Sequence, residues 1–444
     1  MNILLLSGGS GKRLWPLSNE VRSKQFIKLF KTDDGIYESM VQRIYRQIRQ
    51  IDCNANITVA TSESQVNILE NQMGNRVNIC VEPARRDTFP AIVLAAAYLH
   101  DIQKVGKEEI IVVCPVDPHV NEDYFKALKE MEVLAGKGDV KLTLMGVKPT
   151  YPSEKYGYII PEHPEKYISL VKDFKEKPDL ETANKYIQQG ALWNGGVFAF
   201  RLQYLLEKAD EYIGYHEYKE LLLNYEKLNK ISFDYAVVEK EPSIQVMRFL
   251  GQWKDLGTWN TLTEEMSEAV LGKGVLNESC DNLNVINELN IPILCMGLKD
   301  MIVVASGDGI LVTTREQSSY IKPFVDKFDK KVMFAEKSWG SFRIIDVGED
   351  SLTIKVTLNP GHSMNYHSHE LRNEVWTVTK GQGTVVIDGV CREVFPGSVI
   401  SMPAGCKHTI IAKSSVQLIE VQTGKELNVQ DKMKFNLPEE LELN

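Results

Sequence analysis

The sequence predicts an α/β domain on a Rossmann-like, mostly parallel sheet, then a small β layer, then an all-β barrel or jelly roll. Three changes of texture along the chain carry that expectation. Over residues 1–265 short apolar runs alternate with longer amphipathic ones. NILLLS, NITVAT, EIIVVCPVD and KLTLMGV have strand length and β-branched content, while ESMVQRIYRQIRQI and PAIVLAAAYLHDIQ have helical length and spacing. Such alternation lays strands parallel, covers both faces with helices and gathers ligands at the carboxyl ends of the strands. Over residues 266–330 a glycine-rich turn leads into short strands such as IPILCMG, MIVVASGDG and ILVTT, which predict a small β-helix-like stack. Over residues 335–430, SLTIKVTLNP, EVWTVTKG, GTVVIDG, SVISMPAG and VQLIEVQTG are strands punctuated by Gly, Pro and Asn, the spacing of a closed all-β domain. Residues 431–444 read as a tail.

Composition narrows the function. A hydrophobic share of 43% with 25% charged residues is that of an ordinary folded chain, which excludes a disordered or fibrous state. The net charge of −9 argues against nucleic acid as a partner, because phosphate-backbone binding needs a basic footprint. Apolar runs stop well short of the ~18 residues of a membrane span. No basic leader precedes the first apolar run, so a cytoplasmic location is expected, with no membrane association. The seven cysteines are scattered without a CxxC pair, which fits buried reduced thiols rather than a disulfide framework or a zinc site.

The first strand runs into Ser7-Gly8-Gly9-Ser10-Gly11-Lys12-Arg13-Leu14-Trp15-Pro16. Glycines there let backbone N–H groups approach a polyphosphate without an intervening Cβ. Lys12, Arg13 and, eleven residues on, Lys24 supply positive charge. The loop matches neither GxxxxGK[ST] nor GxGxxG. It resembles instead, with the following RSKQF, the signature of sugar-1-phosphate nucleotidyltransferases, in particular bacterial bifunctional mannose-1-phosphate guanylyltransferase/mannose-6-phosphate isomerases. The order of later segments is similar to that family too: Glu82 to Thr88, Cys114 to Asp117, Tyr156 to Ile159, Phe174 to Pro178, Trp193 to Phe198, Asp234 to Lys240 and Trp253 to Trp259. Ser7, Ser23 and Asp87 depart from the family's usual Ala, Pro and Asn, and Pro118 separates Asp117 from His119.

The resemblance implies an α/β nucleotidyltransferase followed by a cupin, and transfer of GMP from GTP to mannose 1-phosphate. In that reaction a sugar phosphate oxygen attacks the α-phosphorus and pyrophosphate leaves, so catalysis rests on positioning and on neutralising charge. Arg13, Lys24, Asp117 and Asp255 are the implied catalytic residues. Ser7, Gly8, Gly9, Gly11, Arg86 and Asp87 are implied around the nucleotide together with Arg13, Lys24 and Asp117. Gly157, Glu176, Lys177, Asn194 and Asp255 are implied around the sugar phosphate. Asp117 and Asp255 would hold Mg²⁺, which favours hard oxygen ligands.

A second constellation lies in the all-β part. His367 and His369 are two apart and so face the same way on a strand; Glu374 and His408 complete a set of three nitrogens and one oxygen. Such a set suits a divalent transition metal, Zn, Mn, Co, Ni or Fe. The intervals Gly361-x5-His367-x-His369-x4-Glu374-x6-Gly381 and Gly397-x5-Pro403-x4-His408 resemble the two cupin motifs. In the bifunctional family this cupin interconverts mannose 6-phosphate and fructose 6-phosphate. Arg372, Glu374 and Trp376 match its motif, Glu370 and Leu371 stand where it carries histidines, and Arg372 is the candidate to bind phosphate or an enediolate. The other readings are a transferase for another base or sugar 1-phosphate with a non-isomerase cupin, and an inactive sugar-nucleotide-binding protein. A homodimer or larger homo-oligomer is expected.

Overall fold

In the computed structural model, residues 1–9, 12–214, 217–328, 332–427 and 431–437 are described. Gly11, expected in the phosphate loop, lies outside them. The chain forms two compact units: Met1–Ser10, Ser23–Val66 and Met73–Ser267 make the first, and Gly11–Arg22, Asn67–Gln72 and Glu268–Asn444 the second.

The first unit is built on a nine-stranded sheet of β1 (Asn2–Ser7), β2 (Asn56–Ser62), β3 (Asn78–Glu82), β4 (Ile110–Pro115), β5 (Leu142–Val147), β6 (Tyr158–Pro161), β7 (Ile168–Lys175), β8 (Leu192–Arg201) and β9 (Ile244–Phe249). Their order is β3-β2-β1-β4-β8-β5-β9-β7-β6. The first four pair in parallel, as the near-continuous apolar runs of β1 and β4 require when both faces are covered. β7 and β8 run against the others. Strand–helix alternation in sequence does not encode where a later strand inserts or which way it points, and β8 inserts between β4 and β5. The helix Thr88–Asp101, nearly all apolar, is buried along its length against this sheet. The helix Met40–Ile51 starts where expected, set by a capping box between Ser39 and Gln42.

In the second unit, Val270–Gly272, Asn284–Asn287 and Met301–Ser306 stack in parallel, and Gly274–Leu276 pairs in parallel with Ile293–Cys295. This is a short β-helix. The jelly roll follows as a six-stranded sheet opposed to a five-stranded one, with Trp376, Leu358, Val385, Ile410 and Leu418 at its core. Two segments from early in the chain complete this unit. The Ser306 hydroxyl donates to the Pro16 carbonyl at 2.7 Å, Arg22 makes two 2.9 Å bonds to Glu288, and Gln72 donates to Glu336 at 3.1 Å. Residues 431–437 are more than a tail, since Met433–Lys434 pairs antiparallel with His367–Ser368.

All seven cysteines are free; Cys53 and Cys391 are exposed, contrary to the expectation of burial, while Cys80, Cys114, Cys295 and Cys406 are buried. Among the described residues no helix is long and apolar enough to cross a membrane.

Candidate active site and metal centre

The phosphate-loop sequence leaves β1 at Ser7, and a network of amides seats it. Gln25 donates to the Ser7 carbonyl at 3.2 Å and to its hydroxyl at 3.1 Å. Thr61 donates to the same carbonyl, and Gln65 to the Gly9 carbonyl at 3.2 Å. Ser7 is fully buried, and its side chain helps hold the loop in place. Gly9 has φ +144°, and neither it nor Gly8 has an atom within 4 Å of where a Cβ would stand; the backbone there is open to approach. Arg13 sits exposed in the short turn Lys12–Leu14, whose Lys12 bonds to Asp326 at 2.5 Å.

Asp117 follows β4 directly, and Asp255 ends the short strand Trp253–Asp255. That strand pairs antiparallel with Pro118–Val120 in a register that sets Asp255 opposite Pro118, and so beside Asp117. The Lys24 ammonium joins the two carboxylates, 2.8 Å from Asp117 and 3.6 Å from Asp255. Two carboxylates converging on one cation, both more than a third exposed, form the charge geometry a Mg²⁺ ion requires. A Cβ at Gly257 would lie 3.1–3.4 Å from the Asp255 carboxyl atoms, so glycine keeps that side clear.

Register also assembles the sugar-side residues. β6 lies between β7 and β8, with Tyr158 opposite both Lys175 and Trp193. Gly157, Glu176 and Asn194 are thereby neighbours: Asn194 donates its N–H to the Gly157 carbonyl at 2.8 Å, and a Cβ on Gly157 would stand 2.5 Å from Glu176 Oε2. The Lys177 ammonium lies 2.6 Å from Glu176 Oε1. Asn194 donates to Asp234 at 2.7 Å. Burial, and then the charge of Glu176, push the Asp234 carboxyl up to about 7. Arg86 donates to the distant Glu226 carbonyl, and Asp87, at φ 71°, accepts from the Thr88 N–H at the start of its helix. Among the described residues neither bonds to the Lys24–Asp117–Asp255 group.

In the jelly roll, His367 and His408 face each other across paired strands and His369 follows one pleat later. The ligand atoms of His367, His369 and His408 lie within 4.8 Å of one another, all buried. Each Nδ1 meets a backbone carbonyl, that of Asn365 at 2.5 Å, of Asp431, and of Cys406 at 3.0 Å. A carbonyl only accepts, so the proton sits on Nδ1 and each Nε2 turns a lone pair inward. Glu374 lies against two of these nitrogens, 3.1 Å from His369 Nε2 and 3.3 Å from His408 Nε2. His408 Nε2 is buried without a hydrogen-bond partner. Lone pairs facing a carboxylate in a buried site fit a bound cation. Arg372 is not free for phosphate: its Nε donates to Glu374 at 2.9 Å and its Nη2 to His369 at 3.1 Å, so the guanidinium braces the ligand set.

Two models of known families match this chain: one described as nucleotidyl transferase over residues 2–270, and one described as cupin domain over residues 354–421. The chain belongs to the nucleotidyl transferase family. Relatives align along nearly the whole of both chains. A Salmonella montevideo protein named mannose-1-phosphate guanylyltransferase is 28% identical with 98% of each chain covered, and the Xanthomonas campestris xanthan biosynthesis protein XanB is 30% identical with 97% of each covered. A solved Thermus thermophilus structure, titled mannose-1-phosphate geranyltransferase, is 27% identical, covers 73% of this chain and 98% of its own, and superposes with a TM-score of 0.62.

Several residues of this nucleotidyl transferase escaped the sequence. Gln25 and Gln65 seat the loop by buried amide bonds, and a lone Gln gives no such signal in sequence. Asp234 was visible only inside a matched segment, since its closeness to Asn194 depends on the sheet. In the cupin, Glu420 and Gln422 come from the strand beside Glu374, with Gln422 3.2 Å from Glu374 and 2.5 Å from Glu420. Their alternation, two apart on a strand, was the available clue.

Proposed function

We propose that this nucleotidyl transferase moves GMP from GTP to mannose 1-phosphate, giving GDP-mannose and pyrophosphate. The observation that carries the reading is the convergence of Asp117 and Asp255 on Lys24 beside the phosphate-loop strand. It is supported by the names of the full-length relatives. Arg13, by its place in the loop sequence, and Lys24 neutralise nucleotide phosphates; Asp117 and Asp255 hold Mg²⁺, which when bound supplies Lewis-acid charge at the α-phosphate. Glu176 and Asn194 hold sugar hydroxyls, and Lys177 holds the sugar phosphate. A phosphate oxygen of the sugar forms the new P–O bond as the α–β bond breaks, so no protein base is needed. The test is pyrophosphate release from four NTPs against a panel of sugar 1-phosphates. GTP with mannose 1-phosphate should give the highest kcat/KM; a higher value for another base or sugar rejects the assignment.

The jelly roll interconverts mannose 6-phosphate and fructose 6-phosphate, with one Zn, Mn, Co, Ni or Fe ion on His367, His369, Glu374 and His408. The three inward Nε2 atoms favour that reading. The protein acts in the cytoplasm, as a homodimer or larger homo-oligomer.

Asp234 gives the sugar site a pH dependence. Its proton is held to about 7, whereas the unfolded chain loses it near the ordinary value of 3.8. The folded state therefore binds more protons between those values, and stability falls as pH rises through that window. The same ionisation adds negative charge beside Glu176 and repels a sugar phosphate. The KM for mannose 1-phosphate should rise as pH passes above about 7, and Asp234→Asn should flatten that rise. A KM that climbs equally in the variant places the titration elsewhere.

A further inference from the structure

The jelly roll encloses a cavity of ≈ 550 Å³, a volume that suits a small ligand. His367, Arg372 and Glu374, part of the metal constellation, line it together with the apolar Trp339, Phe342 and Trp376. Lys337, Lys432 and Lys434 line the same space. Register sets Lys434 directly across from His367, and the Lys337 carbonyl is anchored by Asn71 at 2.8 Å. Among the described residues none of the three ammonium groups forms an ion pair, and the nearest ring to Lys337, that of Phe342, is 5.8 Å away.

We propose that Lys337, Lys432 and Lys434 form an anion subsite that takes the phosphate of a hexose phosphate whose hydroxyl end faces the histidines. The inference rests on the reading of the jelly roll as a sugar-phosphate site and adds the group that binds the phosphate.

Three cations that line one cavity without an ion pair among the described residues repel one another. Their mutual effect is visible: burial, then Lys434, lowers Lys337, and burial lowers Lys432 to about 8, with Lys434 acting in the same direction against the pull of Glu420 and Glu374. A phosphate dianion relieves that repulsion and accepts several charge-assisted bonds at once. Arg372, the residue first expected to bind phosphate, is held by Glu374 and His369.

The experiment measures binding of mannose 6-phosphate, inorganic phosphate and mannose by calorimetry to the metal-loaded full chain. The same titrations use Lys432→Met, Lys434→Met, the double variant and Lys337→Met, each checked for metal content and Tm. The wild type should bind mannose 6-phosphate far more tightly than mannose, and inorganic phosphate measurably. The double variant should lose about tenfold or more for both phosphorylated probes, the equivalent of one charge-assisted bond, and nothing for mannose. Equal affinity in wild type and double variant overturns the subsite, as does a wild type that prefers mannose. Tight inorganic phosphate binding with no gain from the sugar reduces the site to a free-phosphate site and overturns the hexose claim. Isomerisation is followed separately. Lysine-dependent binding without turnover keeps the subsite and rejects the isomerase; turnover with lysine-independent binding does the reverse.

Discussion

Asp117→Asn and Asp255→Asn should each lower kcat/KM for pyrophosphate release by roughly a hundredfold or more, the effect of losing several kcal/mol of charge stabilisation. Both side chains sit where a strand stops, and a short ribbon puts Asp255 beside Asp117. Their carboxylates reach the same ammonium at 2.8 and 3.6 Å, so a cation of small radius can be shared between them. An amide keeps the shape and removes the charge, which isolates the electrostatic contribution from packing. The loss should be deeper at low Mg²⁺ and should not be rescued by saturating Mg²⁺. Stability should change little, because both carboxylates are more than a third exposed and such pairs contribute weakly to folding. Turnover within a fewfold of wild type at saturating Mg²⁺, in either variant with an unchanged Tm, would remove the two-aspartate site from the mechanism.

The two ends of this site were unequally legible. The glycine loop is readable at the end of a strand, whereas Lys24, Asp117 and Asp255 were singled out by the resemblance of the ordered segments, and the ribbon that sets Asp255 beside Asp117 is long-range. What the sequence conceals is which buried polar group meets which. Ser7 reads as a loop residue, yet pairing of β1 with β2 and the placement of Gln25 turn it inward. The bond of Arg86 to the Glu226 carbonyl, 140 residues on, is likewise beyond any local pattern. In the jelly roll the histidines are legible from period-two spacing. The role of Arg372 was open to the same spacing, since Glu374 is two residues on and His369 three back, but its resemblance to a phosphate-binding motif pointed elsewhere. Lys432 and Lys434 lie in a stretch with no strand pattern, and only its pairing with His367–Ser368 brings it to the cavity.

The double variant His367→Ala, His369→Ala should lose the jelly-roll metal, from one ion per chain to almost none by elemental analysis, and with it any conversion of mannose 6-phosphate to fructose 6-phosphate. Three imidazoles converge within 4.8 Å, and removing two leaves His408 with Glu374, too few ligands for a transition metal at ordinary affinity. The Nδ1–carbonyl bonds that orient the rings vanish with them, so the remaining ligands lose part of their preorganisation. Burial, reinforced by the charge of Lys432, lowers His367 to about 2, so this ligand stays neutral, as a metal ligand must, at every pH an assay would use. Protonation releases such a ligand only as pH falls through that depressed value. The transferase should keep its own dependence on Asp117 in the double variant, because the two ligand sets belong to different compact units. Equal conversion by wild type and double variant would show that this metal site is not the isomerase. Absence of conversion by the wild type with Zn, Mn, Co, Ni and Fe in turn would leave a guanylyltransferase whose jelly roll binds a metal for another purpose.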